Sequence, residues 1–127
     1  MVIGSRYIAE GQIEGWPLHR RIVSRLLNKT SCILLRLPVH DASGAFRVYR
    51  VAKLKEIPLV ELKASGYSYL EELLWYLRQA RATFAEVPIL FRNRQSGQSK
   101  ANLREAWGKL TTLARLTVKS MHFLSLG

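Results

Sequence analysis

The segment Val39-His40-Asp41-Ala42-Ser43-Gly44-Ala45-Phe46-Arg47-Val48-Tyr49-Arg50 combines one acid, a turn of small residues and two arginines. Because it follows the apolar run 34–39, Asp41 lies where a buried segment gives way to a loop. Ser43-Gly44 lets the backbone turn tightly or approach a ligand closely. The mixed pattern of residues 46–51 suits a short strand or the opening of a helix beside a polar cleft. We interpret the rest of the chain as support for this segment.

Asp41 and Arg47 supply the two kinds of group that a site for a sugar and a phosphate would need. The carboxylate of an aspartate accepts hydrogen bonds from hydroxyl groups, and the planar guanidinium of an arginine meets two phosphate oxygens at once. The alternative is ordinary turn chemistry, in which Asp41 caps the turn and pairs with Arg47.

Composition limits the kinds of partner. The chain has 127 residues, 48% of them hydrophobic, which is enough for one domain or part of one with a real core. Its formal net charge of +11 favours a phosphorylated ligand, an anionic membrane surface or a nucleic acid. The single cysteine, Cys32, has no partner for a disulfide, which indicates a reducing compartment. The sequence contains neither a transmembrane pattern nor a signal-peptide pattern.

Hydrophobic spacing predicts a mixed α/β chain. Ser68 is expected to cap one helix, with Glu71 completing a capping box. Pro58 is expected to break another. The predicted elements are a strand at 1–7, a loop at 9–17, a helix at 18–35, a connecting helix at 51–62, a helix at 67–82, a strand at 84–91, a polar basic loop at 92–100 and an amphipathic helix at 102–126.

Two basic regions are candidate phosphate sites. Arg20 and Ser24 are four residues apart, so they share a face near the start of their helix and could reach one phosphate together. Arg94 and Lys100 lie in a glycine-containing loop that could close on phosphates as a clamp, although a plain solvated loop remains an alternative. A third basic set comprises Arg21, Arg25 and Lys29. These side chains are expected either to contact lipid headgroups or to be solvated.

Five blocks, in order along the chain, carry a resemblance to a known family. They are Ile3-Gly4-Ser5-Arg6-Tyr7; Ile13-Glu14-Gly15-Trp16-Pro17 with Arg20, Arg21, Ser24 and Arg25; Asp41 to Arg50; Gly66-Tyr67-Ser68-Tyr69 with Glu72; and Glu86-Val87-Pro88-Ile89 with Phe91, Arg94, Gly97, Ser99 and Lys100. With these blocks the chain resembles the C-terminal half of a dolichol-phosphate mannosyltransferase, a polyprenyl-phosphate sugar transferase among the family 2 glycosyltransferases.

The resemblance implies an α/β fold, namely the C-terminal part of a glycosyltransferase A-type (nucleotide-diphospho-sugar transferase) fold, with an incomplete sheet and flanking helices. It implies inverting transfer of mannose from GDP-mannose to a dolichyl or polyprenyl phosphate. The acceptor phosphate would be held by Arg6, Arg20, Ser24, Arg94 and Lys100. Asp41 and Arg47 would organise the cleft, and Glu72 would be the acid near the reacting sugar. Leu70 departs from the family, which usually has glutamine there.

The resemblance also implies a division of labour. Residues 1–100 would form the acceptor-side half of a catalytic domain, and residues 101–127 an amphipathic helix that packs on the sheet or lies in a membrane interface. The chain has no Asp-x-Asp element. The ligands of Mg²⁺ or Mn²⁺ and the GDP-mannose site are therefore expected in a separate N-terminal half or subunit, and this chain is expected to be inactive alone. The expected location is the cytoplasmic face of a membrane, with no nucleic-acid partner.

Two alternatives stay open. One is the same fold acting with another sugar nucleotide, such as a glucose donor, because the acceptor side does not select the sugar. The other is a non-catalytic basic module that binds a membrane or a polyanion, which would bind any polyanion with a steep salt dependence.

Overall fold

The structure is a computed structural model that describes residues 1–93 and 103–125. In these residues the fold is mixed α/β and contains two small sheets. In the first, β1 (Val2–Ser5) is central and pairs antiparallel with β3 (Arg47–Val48) and parallel with β4 (Ala85–Pro88). In the second, β2 (Gln12–Glu14) pairs parallel with β5 (Leu90–Arg92). The mixed α/β prediction is confirmed.

Among the described residues, four α-helices accompany the sheets, and their positions largely follow the predicted ones. The connecting helix ends before Pro58, as expected, because proline cannot continue it, and a 3₁₀ turn follows at Leu59–Glu61. The helices are α1 (Leu18–Leu34), α2 (Val51–Lys55), α3 (Ser68–Gln79) and α4 (Leu103–Ser125). The proposed boundary at residue 100 stays a prediction, because residues 94–102 lie outside those described.

The register of the first sheet determines where the site lies. Ile3 pairs with Arg47 on one side and with Glu86 on the other. Parallel strands end at the same edge of a sheet, so the residues after β1 emerge beside the end of β4. Arg6 is therefore brought to an edge of the sheet.

Two predictions about strands were wrong. Residues 9–17 are not a simple loop, because β2 lies within them. Residues 84–91 are not one strand, because the chain changes partners at Ile89. The Ile89 N–H donates to the Ser5 carbonyl at 3.1 Å, and the Ile89 carbonyl accepts from Gln12 N–H at 3.0 Å. Ile89 thus joins the two sheets. The strands of the second sheet, β2 and β5, are too short for an alternating hydrophobic pattern to be recognised.

The core is built around α3. Every residue from Glu71 to Leu77 is buried, so this helix is covered on nearly all sides. The predicted capping box is wrong, because Tyr67 precedes the helix without a side-chain cap and Ser68 is buried in the first turn. The main apolar partners of α3 in the core are Ile3, Leu35, Leu37, Val39, Ile57, Leu113 and Leu116.

The polarity of α1 is reversed relative to an ordinary surface helix. Its buried residues are Asn28, Ser31 and Cys32. Its exposed side chains include most of the large apolar ones, which we call the outer apolar face of α1: Leu18, Ile22, Val23, Leu26, Leu27, Ile33 and Leu34. The helix therefore presents to its surroundings the side that a surface helix normally buries.

The polarity of α4 is reversed only in part, because Leu113 and Leu116 are buried in the core while several other large apolar side chains are exposed. Two of its cations point inward and pair with acids of α3, since Lys109 lies 2.8 Å from Glu71 and Arg115 lies 2.8 Å from Glu72. The outer apolar face of α4 comprises Leu103, Trp107, Leu110, Val118 and Met121. None of the helices in the described part of the chain is long and apolar enough to cross a membrane.

The contrast between two leucines of α4 tests this packing. Leu116 is fully buried against the core, whereas Leu110 is 59% exposed. We expect Leu116→Ala to lower the free energy of unfolding by about 2–5 kcal/mol, because it removes buried methyl groups and leaves a cavity. Leu110→Ala should change it by less than about 0.5 kcal/mol. Urea unfolding followed by circular dichroism measures both, and equal effects would contradict the inward orientation of Leu116.

Candidate functional site

The centre of the candidate site is an ion pair between Arg6, just after β1, and Asp41, in the loop after α1. The Arg6 guanidinium donates to both carboxylate oxygens, from Nε to Oδ2 at 2.8 Å and from Nη2 to Oδ1 at 2.9 Å. The backbone N–H of Arg6 donates to Oδ2 as well, at 3.0 Å. The two side chains are 8% and 0% exposed, so this two-pronged contact is almost completely shielded from water.

The ion pair sets the charge states of both groups. Burial alone would raise the pKa of the Asp41 carboxyl, but the hydrogen bonds and charge of Arg6 outweigh burial and hold that pKa below its ordinary value. Burial opposes the charge of Arg6 too, yet Asp41 raises the pKa of the guanidinium. The site therefore holds a fixed carboxylate and a fixed guanidinium at neutral pH.

Asp41 also shapes the turn that follows it. Its Oδ1 accepts from the backbone N–H of Gly44 at 2.9 Å and of Ser43 at 3.3 Å. A Cβ at position 44 would lie 3.1 Å from the Gly4 carbonyl oxygen, so only glycine fits easily between the turn and β1. The alternative interpretation is therefore right about the cap on the turn but wrong about the pairing of Asp41 with Arg47, because the carboxylate pairs with Arg6.

Arg47 holds the backbone instead. Its guanidinium donates to the carbonyls of Gly44 and Ala42, each at 2.6 Å, and of Leu70 at 2.9 Å. These three bonds link the turn to the first residues of α3. The structure thus gives Arg47 an organising position, with its hydrogen bonds directed to main-chain oxygens.

Three predicted residues meet around two aromatic rings. The Arg20 guanidinium lies 4.2 Å from the centre of the Trp16 ring, and that of Arg6 lies 5.9 Å from the same ring. The Ser24 hydroxyl is 2.6 Å from the Tyr7 hydroxyl, and Arg6 also lies over the Tyr7 ring at 5.0 Å. Arg6, Arg20 and Ser24 are therefore brought to one place, which we call the arginine–aromatic cluster together with Tyr7 and Trp16.

Glu72 occupies a different environment, between α3 and α4. Its Oε2 accepts from the backbone N–H groups of Lys63 and Ala64 at 3.0 and 2.7 Å, and its Oε1 accepts from Arg115 at 2.8 Å. Burial would raise the pKa of this carboxyl, but Arg115 and the two N–H groups lower it overall. The fully buried carboxylate thus joins the segment before α3 to α4.

Two supporting residues were not predicted as part of the site. The Asn28 side chain donates to the His40 carbonyl and accepts from the Ala42 N–H at 2.8 Å. The Glu86 carboxylate accepts from the N–H groups of His40 and Asp41, each at 3.0 Å. The sequence did contain a signal for Asn28, which is a lone asparagine within the apolar pattern of α1. It contained none for Glu86, because its partners lie 45 and 46 residues away in sequence.

Arg94 and Lys100, the predicted phosphate clamp, lie outside the described residues. Within 1–93 and 103–125, no group of three or more His, Cys, Asp or Glu side chains could hold a metal ion.

The fold is that of a basic α/β chain in which two arginines and a serine meet around two aromatic rings. No protein-family model matches the chain. It is 35% identical over 113 residues to the polyprenol monophosphomannose synthase of Mycolicibacterium smegmatis, an alignment that covers 87% of this chain and 43% of that protein. It is 31% identical over 100 residues to the undecaprenyl-phosphate mannosyltransferase of Micrococcus luteus, covering 79% of this chain and 41% of that protein.

These relatives confirm the resemblance found in the sequence. The chain is similar to polyprenyl-phosphate mannosyltransferases along most of its own length. It spans less than half of the length of the curated relatives that it matches.

Replacing Asp41 tests the ion pair. Asp41→Asn leaves the Arg6 guanidinium buried without its counter-charge, so we expect a loss of about 3 kcal/mol in the free energy of unfolding at pH 7. Because the pKa of Asp41 is lower when folded than when unfolded, the ion pair stabilises the chain above about pH 4, and this contribution is lost as the pH falls through the folded-state pKa.

The measurement is urea unfolding of both proteins between pH 7 and pH 2. The difference between them should be constant near neutral pH and shrink below about pH 4. Glu56→Gln is the control, because its partly exposed pairing with Lys53 should contribute less than about 1 kcal/mol. A difference that is the same at every pH would mean that the Asp41 charge is not what stabilises the site.

Proposed function

We propose that this chain supplies the acceptor-phosphate side of a polyprenyl-phosphate mannosyltransferase. The observation that carries the proposal is the arginine–aromatic cluster, in which Arg6, Arg20 and Ser24 meet around Tyr7 and Trp16. The Arg20 guanidinium and the Ser24 hydroxyl would provide donors to a phosphate monoester, with the positive charge of Arg6 fixed beside them. The names of the relatives support this choice of ligand.

The proposed chemistry is a displacement at the sugar. A phosphate monoester with a second pKa near 6 is mostly a dianion at pH 7, so its own oxygen is the nucleophile and no strong general base is needed. That oxygen forms a bond to the sugar carbon on the side opposite the departing group, and the bond from this carbon to the nucleoside diphosphate breaks with its electron pair leaving on the diphosphate. The configuration at the carbon is thereby inverted.

The residues of this chain would act by positioning the acceptor phosphate. Asp41 and Ser43 hold the Arg6 guanidinium in one orientation, so the charge of Arg6 is fixed behind Arg20 and Ser24 before the phosphate arrives. Arg20 is held over Trp16, and the Ser24 hydroxyl is within reach of Tyr7. Arg47 keeps the turn after Asp41 against α3. A donor set fixed before the ligand arrives is the arrangement that favours an oriented attack.

The remaining functions are proposed to lie elsewhere. GDP-mannose and its Mg²⁺ or Mn²⁺ ion would be bound by polypeptide outside this chain, which would complete a glycosyltransferase A-type fold. Arg94 and Lys100 are proposed as a clamp on the phosphates, and Glu72 as an acid on the sugar side. A glucose donor is the alternative, since the acceptor-side residues serve either sugar equally.

Membrane contact is part of the proposal. The acceptor is a lipid, and α1 and α4 both present outer apolar faces that include Leu26 at 60% exposure and Trp107 at 69%. Amphipathic helices of this kind bind in the interface plane with their apolar side toward the acyl chains. We place the chain at the surface of a membrane, on its cytoplasmic face, with α1 and α4 as the contacting helices.

Binding of polyprenyl phosphate in neutral detergent micelles tests the acceptor role. Arg20→Ala should weaken binding about tenfold or more, because it removes a charged donor to the phosphate. Ser24→Ala should weaken it less. Lys55→Ala is the matched control, because Lys55 is an exposed cation on α2. Equal losses in the Arg20 and Lys55 variants, or equal affinity for polyprenol without its phosphate, would favour a general polyanion-binding or lipid-binding module.

A transfer assay tests the division of labour. This chain alone, with GDP-mannose, Mg²⁺ and polyprenyl phosphate in detergent, is expected to give no labelled product, since donor binding is proposed to require other polypeptide. Circular dichroism must show that the chain is folded. Transfer above the level of Arg20→Ala would mean that the chain is a complete minimal enzyme, and the proposed external donor site would be wrong.

A further inference from the structure

A second basic site lies on α1, in a cleft between this helix and the segment 37–40. The cleft encloses about 470 Å³, and its lining includes the exposed cations Arg25 and Lys29. Cys32, Leu37 and Val39 give it an apolar wall. Burial raises the pKa of the Cys32 thiol to about 11, so this wall is uncharged at neutral pH.

The two cations of the cleft are not in contact with an acid. In the described part of the chain, no carboxylate forms an ion pair with Arg25 or Lys29. The carboxylate of Glu86, which contacts His40 in the lining, also accepts from the N–H of Asp41. Two cations four residues apart on a helix lie side by side, which suits a single phosphate between them.

This cleft adjoins the arginine–aromatic cluster, and Tyr7 lines both, but their cations lie on different sides of α1. Successive residues of an α-helix project about 100° apart, so Arg25 and Lys29 face a different side of α1 from Arg20 and Ser24. Tyr7 lies between the two sites, because its hydroxyl contacts Ser24 while the Arg25 guanidinium lies 6.0 Å from its ring.

The cleft borders the surface that the proposed function places against a membrane. Ile33 belongs both to the lining of the cleft and to the outer apolar face of α1. A ligand here would therefore have a phosphate between two cations and an apolar portion running onto an apolar surface. That combination describes an anionic phospholipid better than a soluble phosphate, which has no apolar portion.

We infer that the cleft binds the phosphate headgroup of an anionic membrane phospholipid through Arg25 and Lys29, with its acyl chains beside the outer apolar face of α1. This lipid is not the acceptor, and it would fix the depth and orientation of α1 at the membrane. The inference rests on the membrane contact in the proposed function.

Vesicle binding tests the inference with a matched pair of variants. Arg25→Gln/Lys29→Gln and the control Arg50→Gln/Lys55→Gln remove the same two charges, in the second case from exposed residues around α2. Binding to phosphatidylcholine vesicles, with or without phosphatidylglycerol, is measured by co-sedimentation and by intrinsic tryptophan fluorescence. We expect the cleft variant to lose about 10- to 30-fold in affinity for anionic vesicles, and the control to lose much less. Neutral vesicles should bind all three proteins equally.

Each outcome separates one explanation from the others. Failure of the unmodified chain to bind neutral vesicles contradicts the membrane contact itself. Neutral binding without a preference for phosphatidylglycerol, or equal losses in the two variants, contradicts the cleft alone. Competition by glycerol 3-phosphate at a concentration equal to that of the vesicle phosphate would assign the cleft to soluble phosphates. Unchanged binding of micellar polyprenyl phosphate by the cleft variant would confirm that the acceptor site is distinct, and a loss there would overturn the assignment.

Discussion

The buried ion pair between Arg6 and Asp41 is the interaction on which the site depends. Removing two charges from water is unfavourable, and here the cost is offset by two side-chain hydrogen bonds and by N–H groups of Arg6 and Gly44 on the same carboxylate. The pair ties the end of β1 to the loop that follows α1. Without it, neither the turn at Gly44 nor the position of Arg6 beside Tyr7 would be fixed.

A second constraint is the reversed polarity of α1 and, in part, of α4. Ion pairs such as Arg115–Glu72 occupy the inner side of α4, while Trp107 and Met121 lie on the outer side. Two of the positive charges of the chain are thereby paired with acids of α3 between the two helices. Apolar area left in water is unfavourable at about 25 cal/mol per Å², so both helices gain when another apolar phase covers them. The same distribution explains why hydrophobic spacing correctly predicted the helices yet did not identify their buried sides.

Sequence predicted what is encoded locally and missed what is not. The bounds of α1, α3 and α4 follow from apolar spacing and are within a few residues of the observed ones. Asp41 was recognised, but its partner was not, because Arg47 is close in sequence whereas Arg6 is 35 residues away and meets Asp41 only in the folded chain, where β3 pairs with β1. The strands β2 and β5 are three residues each, too short for a recognisable pattern.

The geometry of α1 relates the two proposed phosphate sites to each other. At about 100° per residue, the outer apolar face is centred between Ile22 and Val23, with Arg20 beyond one edge and Arg25 at a similar angle beyond the other. A helix that lies in the interface with this face toward the acyl chains would hold both flanks at one depth, that of the headgroups. An acceptor lipid and a neighbouring phospholipid carry their phosphates at that same depth. A helix anchored by a phospholipid on one flank would therefore hold the opposite flank level with the phosphate of its acceptor.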